Sequence, residues 1–128
     1  MTDIEKRQVA ALNAFCAQRS SNKKEGLEKF WGPDGTLTDP YNANKIYRGH
    51  EEIKEYYKIA TLSRGTYSEP KRVDDNNYTF QINVVLGITL KVDVCFFEND
   101  FYFKSLKTES IGYIDPKYFM WETFAGKD

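Results

Sequence analysis

The chain has 128 residues, 29% of them charged, with a formal net charge of −1. That length suits one domain holding a core and a modest pocket. The balanced charge excludes a strong field for nucleic acid or an anionic membrane surface, so neither partner is expected.

In chain order, Thr2-Asp3-Ile4-Glu5 has the spacing of a capping box at a helix start. Val9, Leu12, Phe15 and Cys16 follow at helical spacing as one apolar stripe, so a first helix is expected to end between Gln18 and Ser21. Asn22-Lys23-Lys24-Glu25 repeats the box, which predicts a short second helix with Leu27, Phe30 and Trp31 inward. Gly32-Pro33-Asp34-Gly35 stops it, and Thr36 to Asp39 is expected as a short strand. Pro40 biases Asp39 toward extended dihedrals, and a polar loop leads to Tyr47. After Gly49, Glu51 and Glu52 suit the start of a third helix that buries Ile53, Tyr56, Tyr57 and Ala60.

From Tyr67 the apolar period becomes two, predicting strands near 67–73, 78–85, 89–97 and 101–111. Pro70 makes the first an edge strand or puts a bulge in it. Asp74-Asp75-Asn76-Asn77 and Glu98-Asn99-Asp100 read as hairpin turns. Three helices followed by an antiparallel meander make a single α+β domain, with the helices on one face of a curved sheet.

The chemistry-bearing residues are few. Asp39 is the leading carboxylate, with Trp31, Tyr47 and Tyr57 available as an apolar surround that would raise its basicity. The alternative is a turn-ending Asp whose carboxylate accepts backbone N–H groups. His50 reads as an exposed residue at a helix start rather than a proton shuttle. Cys16 and Cys95 read as small core residues with free thiols, and no His, Asp or Glu cluster has metal-ligand spacing. No metal or cofactor is expected. The start is acidic and polar and no apolar run is long enough to span a bilayer, so a cytoplasmic setting is expected.

Aromatic residues make up 16% of the chain, suiting a β-rich core or an aromatic-lined cavity. The segment from Tyr113 to Phe124 is too aromatic for disorder. Trp121, with Phe119, Met120 and Phe124, is a ligand-contact candidate if that segment closes a pocket.

The order of elements, Trp31-Gly32-Pro33-Asp34-Gly35-Thr36-Leu37-Thr38-Asp39-Pro40, and Arg48-Gly49 followed by Ile53 and Tyr57 together resemble the nuclear-transport-factor-2-like (NTF2-like) superfamily. Within it the chain looks most like the steroid Δ-isomerase and SnoaL-like polyketide cyclase branch. The resemblance implies a cone-shaped, cystatin-like fold, a pocket between helices and sheet, and a homodimer. It also implies that Asp39 stands where the isomerases keep a general base that moves a proton beside a ketone. In those enzymes a first-helix Tyr and a protonated strand Asp hold the enolate oxygen. Here these positions fall on Phe15, which has no donor, and on Asp93.

The orientation of Asp93 turns on one hairpin. A two-residue turn at Leu86-Gly87 sets Asp93 opposite Phe80 on an apolar face. A three-residue loop, Leu86-Gly87-Ile88, instead pairs Val84, Ile82 and Phe80 with Leu90, Val92 and Val94, and Gln81 with Asp93. Two functions follow as expectations. One is a cofactor-independent isomerase, cyclase or dehydratase for a hydrophobic carbonyl compound, with Asp39 and Asp93 catalytic. The other is a noncatalytic hydrophobic-ligand-binding or dimerisation module. In either case Phe15, Trp31, Tyr47, Tyr57 and Phe80 are candidate pocket walls.

Overall fold

The computed structural model describes residues 1–40, 42–60, 65–84 and 88–113. Helix α1 spans Asp3–Ser20, and Thr2 Oγ1 accepts the Glu5 N–H at 3.2 Å, as the capping spacing requires. Its other end corrects the expected second helix. Asn22 adopts a left-handed φ of 57°, the Lys23 N–H reaches the Gln18 carbonyl, and the Asn22 N–H reaches that of Arg19. This is a Schellman closure with Asn22 just past the helix, so Asn22 is not free to start another. The Gln18 side chain donates to the Lys23 and Glu25 carbonyls and holds the turn in place. Only a 3₁₀ turn, Leu27–Phe30, follows, leaving two α-helices rather than three among the described residues.

Strand β1 covers Trp31–Asp39, longer than expected. The Gly-Pro-Asp-Gly run is a bulge inside the strand: Trp31 pairs with Phe103 and Thr36 with Ser105. The Trp31 indole N–H closes it onto the Thr36 carbonyl at 2.9 Å. Gly35 cannot be replaced cheaply here, because a Cβ would lie 2.7 Å from the Phe103 carbonyl oxygen and 2.8 Å from Trp31 Cδ1. Gly35→Ala is expected to cost about 2–3 kcal/mol through forced backbone movement, read as a lower denaturation midpoint at unchanged slope.

Part of the expected polar loop is strand β2, Lys45–Arg48, antiparallel to β1 with Leu37 opposite Tyr47 and Asp39 opposite Lys45. Gly49, at φ 76°, turns the chain into α2, Gly49–Ile59, whose first turn carries Glu51 and Glu52. Glu52 Oε1 accepts the Arg48 N–H at 3.0 Å, and the His50 ring nitrogen Nε2 lies 2.7 Å from the Trp31 carbonyl. His50 is thus half-buried and ties α2 to β1, rather than standing exposed.

Pro70 interrupts the next strand, splitting it into β3, Gly65–Tyr67, and β4, Lys71–Asp74, both antiparallel to β5, Asn77–Val84. Strands β6, Ile88–Phe96, and β7, Phe103–Tyr113, complete a curved, unclosed sheet in the order β2-β1-β7-β6-β5-β3, with β4 also on β5. Asn76 and Asn99 take the positive φ that the two predicted hairpin turns demand. All neighbours are antiparallel except β1 and β7, which run parallel.

The core lies between one face of the sheet and the two helices. Leu37, Tyr78, Phe80, Ile82, Val92, Val94, Phe96 and Leu106 meet Leu12, Phe15, Ile53 and Tyr57 there. A polar side chain, Gln8, is sealed within it. Gln8 is 1% exposed, accepts the Tyr78 hydroxyl at 2.9 Å, and donates to Asn76 Oδ1 and the Asp100 carbonyl at 3.0 and 2.8 Å. All of its hydrogen-bonding capacity but one acceptor lone pair is used, as a buried amide requires. These bonds pin α1 to the turns before β5 and before β7.

Candidate functional site

The β5–β6 register decides where Asp93 stands. Phe80 pairs with Val92, Ile82 with Leu90 and Thr79 with Asp93. This is two residues away from the three-residue-loop alternative and one from the two-residue turn. An even shift keeps every side chain on its face, so the clean separation of polar from apolar expected for the longer loop is retained. Asp93 therefore lies on the outer, polar face, opposite Thr79 and Lys107, with a carboxylate oxygen 3.8 Å from Lys91 Nζ. It does not share a face with the aromatic cluster, and an oxygen-holding role on the core face has no geometric support. The Leu86-Gly87 turn itself lies outside the described residues.

Asp39 continues the core-facing row of Leu37 at the end of β1 and is half-buried. Its carbonyl accepts the Asn42 N–H at 3.3 Å in the turn to β2. Opposite it, Lys45 turns its ammonium over the Tyr47 ring, 4.7 Å from the centroid. Tyr47 contacts Tyr56, Tyr56 contacts Tyr57, and Tyr57 contacts Trp31, with ring centroids 5.0, 5.0 and 6.1 Å apart. These rings form one connected aromatic row, and Asp39 stands opposite Lys45 on the neighbouring strand.

Phe15 joins the row at Trp31. Its ring stands edge-on to Phe30, Trp31 and Phe103 at 5.3–5.6 Å and is 1% exposed. Phe80 is equally buried and packs near Tyr67. Phe15, Trp31 and Phe80 are thus core in the first place. Trp121 and the rest of the aromatic tail lie outside the described residues.

A group the sequence reading passed over stands at the C-terminal end of α1. Arg19 reaches from the last turn toward the core, with Cζ 5.9 Å from the Phe15 ring centroid and an NH1 donor 3.4 Å from the Tyr67 hydroxyl. Its Nε is sealed from solvent with no hydrogen-bond partner. Tyr67 pairs across the strands with Ile82, which places its ring on the core side. Burial pushes the Tyr57 and Tyr67 hydroxyls up from their ordinary range, and the Arg19 charge opposes it in both. The Cys16 thiol is likewise pushed up to about 11 by burial, again against Arg19. At neutral pH the guanidinium therefore sits among two phenols and a thiol, all uncharged. A signal for this was in the sequence: Arg19 lies four residues after Phe15 and three after Cys16, a cation on the buried stripe of α1.

Beside this group is a cleft of about 470 Å³ between the α1–β1 connection and α2. Lys24, Lys29, Lys54 and Lys58 line it with Glu25, Glu28 and Tyr57. Among the described residues no three His, Cys, Asp or Glu side chains are grouped to hold a metal ion, and no helix is long and apolar enough to cross a membrane.

No family model and no curated protein matches the chain. Solved structures do. An NTF2-like protein of unknown function from Burkholderia xenovorans LB400 aligns with a TM-score of 0.68 at 10% identity, over 87% of this chain and 88% of that one. A protein of unknown function with a cystatin-like fold from Nostoc punctiforme gives 0.60 at 18% identity, over 86% and 93%. A protein with a ketosteroid isomerase-like fold from Catenulispora acidiphila, solved with trimethylamine, gives 0.56 at 13% identity, over 77% and 83%. Likeness at such identities speaks for architecture alone. The chain has the NTF2-like, ketosteroid isomerase-like α+β fold.

Proposed function

We propose that this domain binds a small hydrophobic molecule between its helices and the core face of the sheet, without chemically transforming it. The observation that carries the reading is a row of aromatic rings from Tyr47 to Trp31, joined through Phe15 to the half-buried Arg19 whose Nε is sealed and unbonded, a mostly apolar site with one orienting polar group. Catalysis of the isomerase kind would need a donor for the enolate oxygen. The two positions that resemblance nominates are Phe15, a packed hydrocarbon ring, and Asp93, on the outer face. A homodimer belongs to the same reading and rests on the resemblance; a cytoplasmic setting is part of the same proposal.

A second reading keeps Asp39 as a general base, supported by its half-buried place on the core face next to Leu37. Turnover of a β,γ-unsaturated ketone separates the two. The binding reading expects none from the wild-type protein, and expects Asp39→Asn to leave binding of a neutral fluorescent probe within about twofold, since a carboxylate at the rim adds little to an apolar contact. Turnover that Asp39→Asn abolishes would replace the first reading by the second.

A further inference from the structure

We infer that the ligand taken by this domain carries a carboxylate, and that Arg19 together with the Tyr67 hydroxyl holds it. The inference rests on the binding reading above and deepens it by naming the ligand's class.

Three observations lead there. The first is the unpartnered Arg19 Nε: a guanidinium offers a fork of donors, and a sealed, unbonded one is costly to keep. The second is what surrounds it. The polar groups that feel its charge are Cys16, Tyr57 and Tyr67, each held in its neutral form by burial, and among the described residues no carboxylate forms an ion pair with Arg19. Its one side-chain hydrogen bond among the described residues, to Tyr67, is long at 3.4 Å. Arg–carboxylate pairs are planar and two-pronged, and a ligand carboxylate is the group that would use Nε with a terminal nitrogen while accepting from a phenol. The third is the position of Tyr57. It stands in the Arg19 field and also lines the 470 Å³ cleft, where four lysines outnumber two glutamates. An excess of cations there draws anions toward this end of the cone. The hydrocarbon body of such an acid would lie on the side of Tyr67 and Phe15, the two aromatic side chains that border the guanidinium. The ligand class is thus a small hydrophobic acid, of the fatty or aryl carboxylate type.

The test uses the full chain and three probes: N-phenylnaphthylamine as a neutral fluorophore, and decanoate and decanol as competitors with the same hydrocarbon tail. The fluorophore is expected to bind, and decanoate to displace it at a concentration about tenfold or more below decanol, the order of one charge-assisted pair. Arg19→Met keeps the stem and removes the donors; it should abolish decanoate's advantage over decanol, with both competitors read against the same fluorophore on the same variant. Tyr67→Phe should reduce that advantage by a smaller factor, and it serves on its own should Arg19→Met fail to fold. Equal displacement by decanoate and decanol, or an undiminished preference in both variants, would overturn the assignment of a carboxylate while the pocket itself stands. If the fluorophore and both competitors fail to bind, the binding reading falls and this inference with it.

Discussion

Phe15→Ala is expected to destabilise the domain by about 4 kcal/mol, the cost of deleting a fully buried aromatic ring. The ring is 1% exposed and contacts Phe30, Trp31 and Phe103 edge-on, each within 5.6 Å. Those neighbours come from the 3₁₀ turn, β1 and β7, so collapse into the vacated space would have to move three elements at once. Packed interiors relax incompletely, and part of the cavity would stay open. The measurement is a denaturant midpoint, with the slope checking that the unfolded state is unchanged. A loss near 1 kcal/mol would show that the core is loosely packed around an existing void. Phe15→Leu, which leaves most of the volume, should cost less than half as much.

Gln8→Leu should be nearly as damaging, about 3 kcal/mol, for a different reason. The substitution preserves size and adds apolar surface, yet it strands the Tyr78 hydroxyl, Asn76 Oδ1 and the Asp100 carbonyl. A buried polar group left without a partner costs about 1–3 kcal/mol, and partial access to water at the two turns limits the sum. Thermal unfolding is expected to fall by roughly 10 °C for a domain of this size. The double variant Gln8→Leu with Tyr78→Phe should recover part of the loss, because it removes one stranded hydroxyl. Recovery of nothing would mean that Tyr78 finds another partner and that the bond between them is incidental.

How far the sequence spoke for itself can be followed residue by residue. Local chemistry was legible wherever one residue type meets one backbone demand. Thr2 begins α1, Asn76 and Asn99 supply the left-handed turns, and Pro70 divides β3 from β4. The segment after Ser21 was misread because Asn serves equally well before a helix and after one. Asn22 took the second role, and the spacing to Glu25 was coincidental. Strand β2 escapes the sequence pattern because Lys45-Ile46-Tyr47-Arg48 has only two apolar residues, adjacent rather than alternating, and what makes it a strand is the ladder offered by β1.

The site was legible in outline and not in detail. Asp39 reached the core face as its place beside Leu37 in the strand dictates. Tyr47 and Tyr57 reached the aromatic rim for the same periodic reasons. Asp93 was settled by a register that no turn motif fixed; the alternation of Gln81, Asn83, Lys91 and Asp93 against Phe80, Ile82, Val92 and Val94 carried that information. Arg19 escaped because a terminal helical arginine ordinarily caps carbonyls and faces water. Only the approach of Tyr67 from β3, beside Phe15 one turn earlier on the same helix, half-buries it.

The parallel seam between β1 and β7 has a consequence for how the protein comes into being. Thr36 meets Ser105 and Leu37 meets Leu106, so the inner edge of an early strand waits for the last described one. During synthesis, α1, β1, β2 and α2 emerge with their shared apolar faces uncovered, and no later hairpin can close the sheet on their behalf. Contacts of such long range close late and slow the search. In that interval Trp31, Leu37 and Tyr47 form an adhesive surface, and the demand for chaperone protection should peak just before β7 leaves the ribosome.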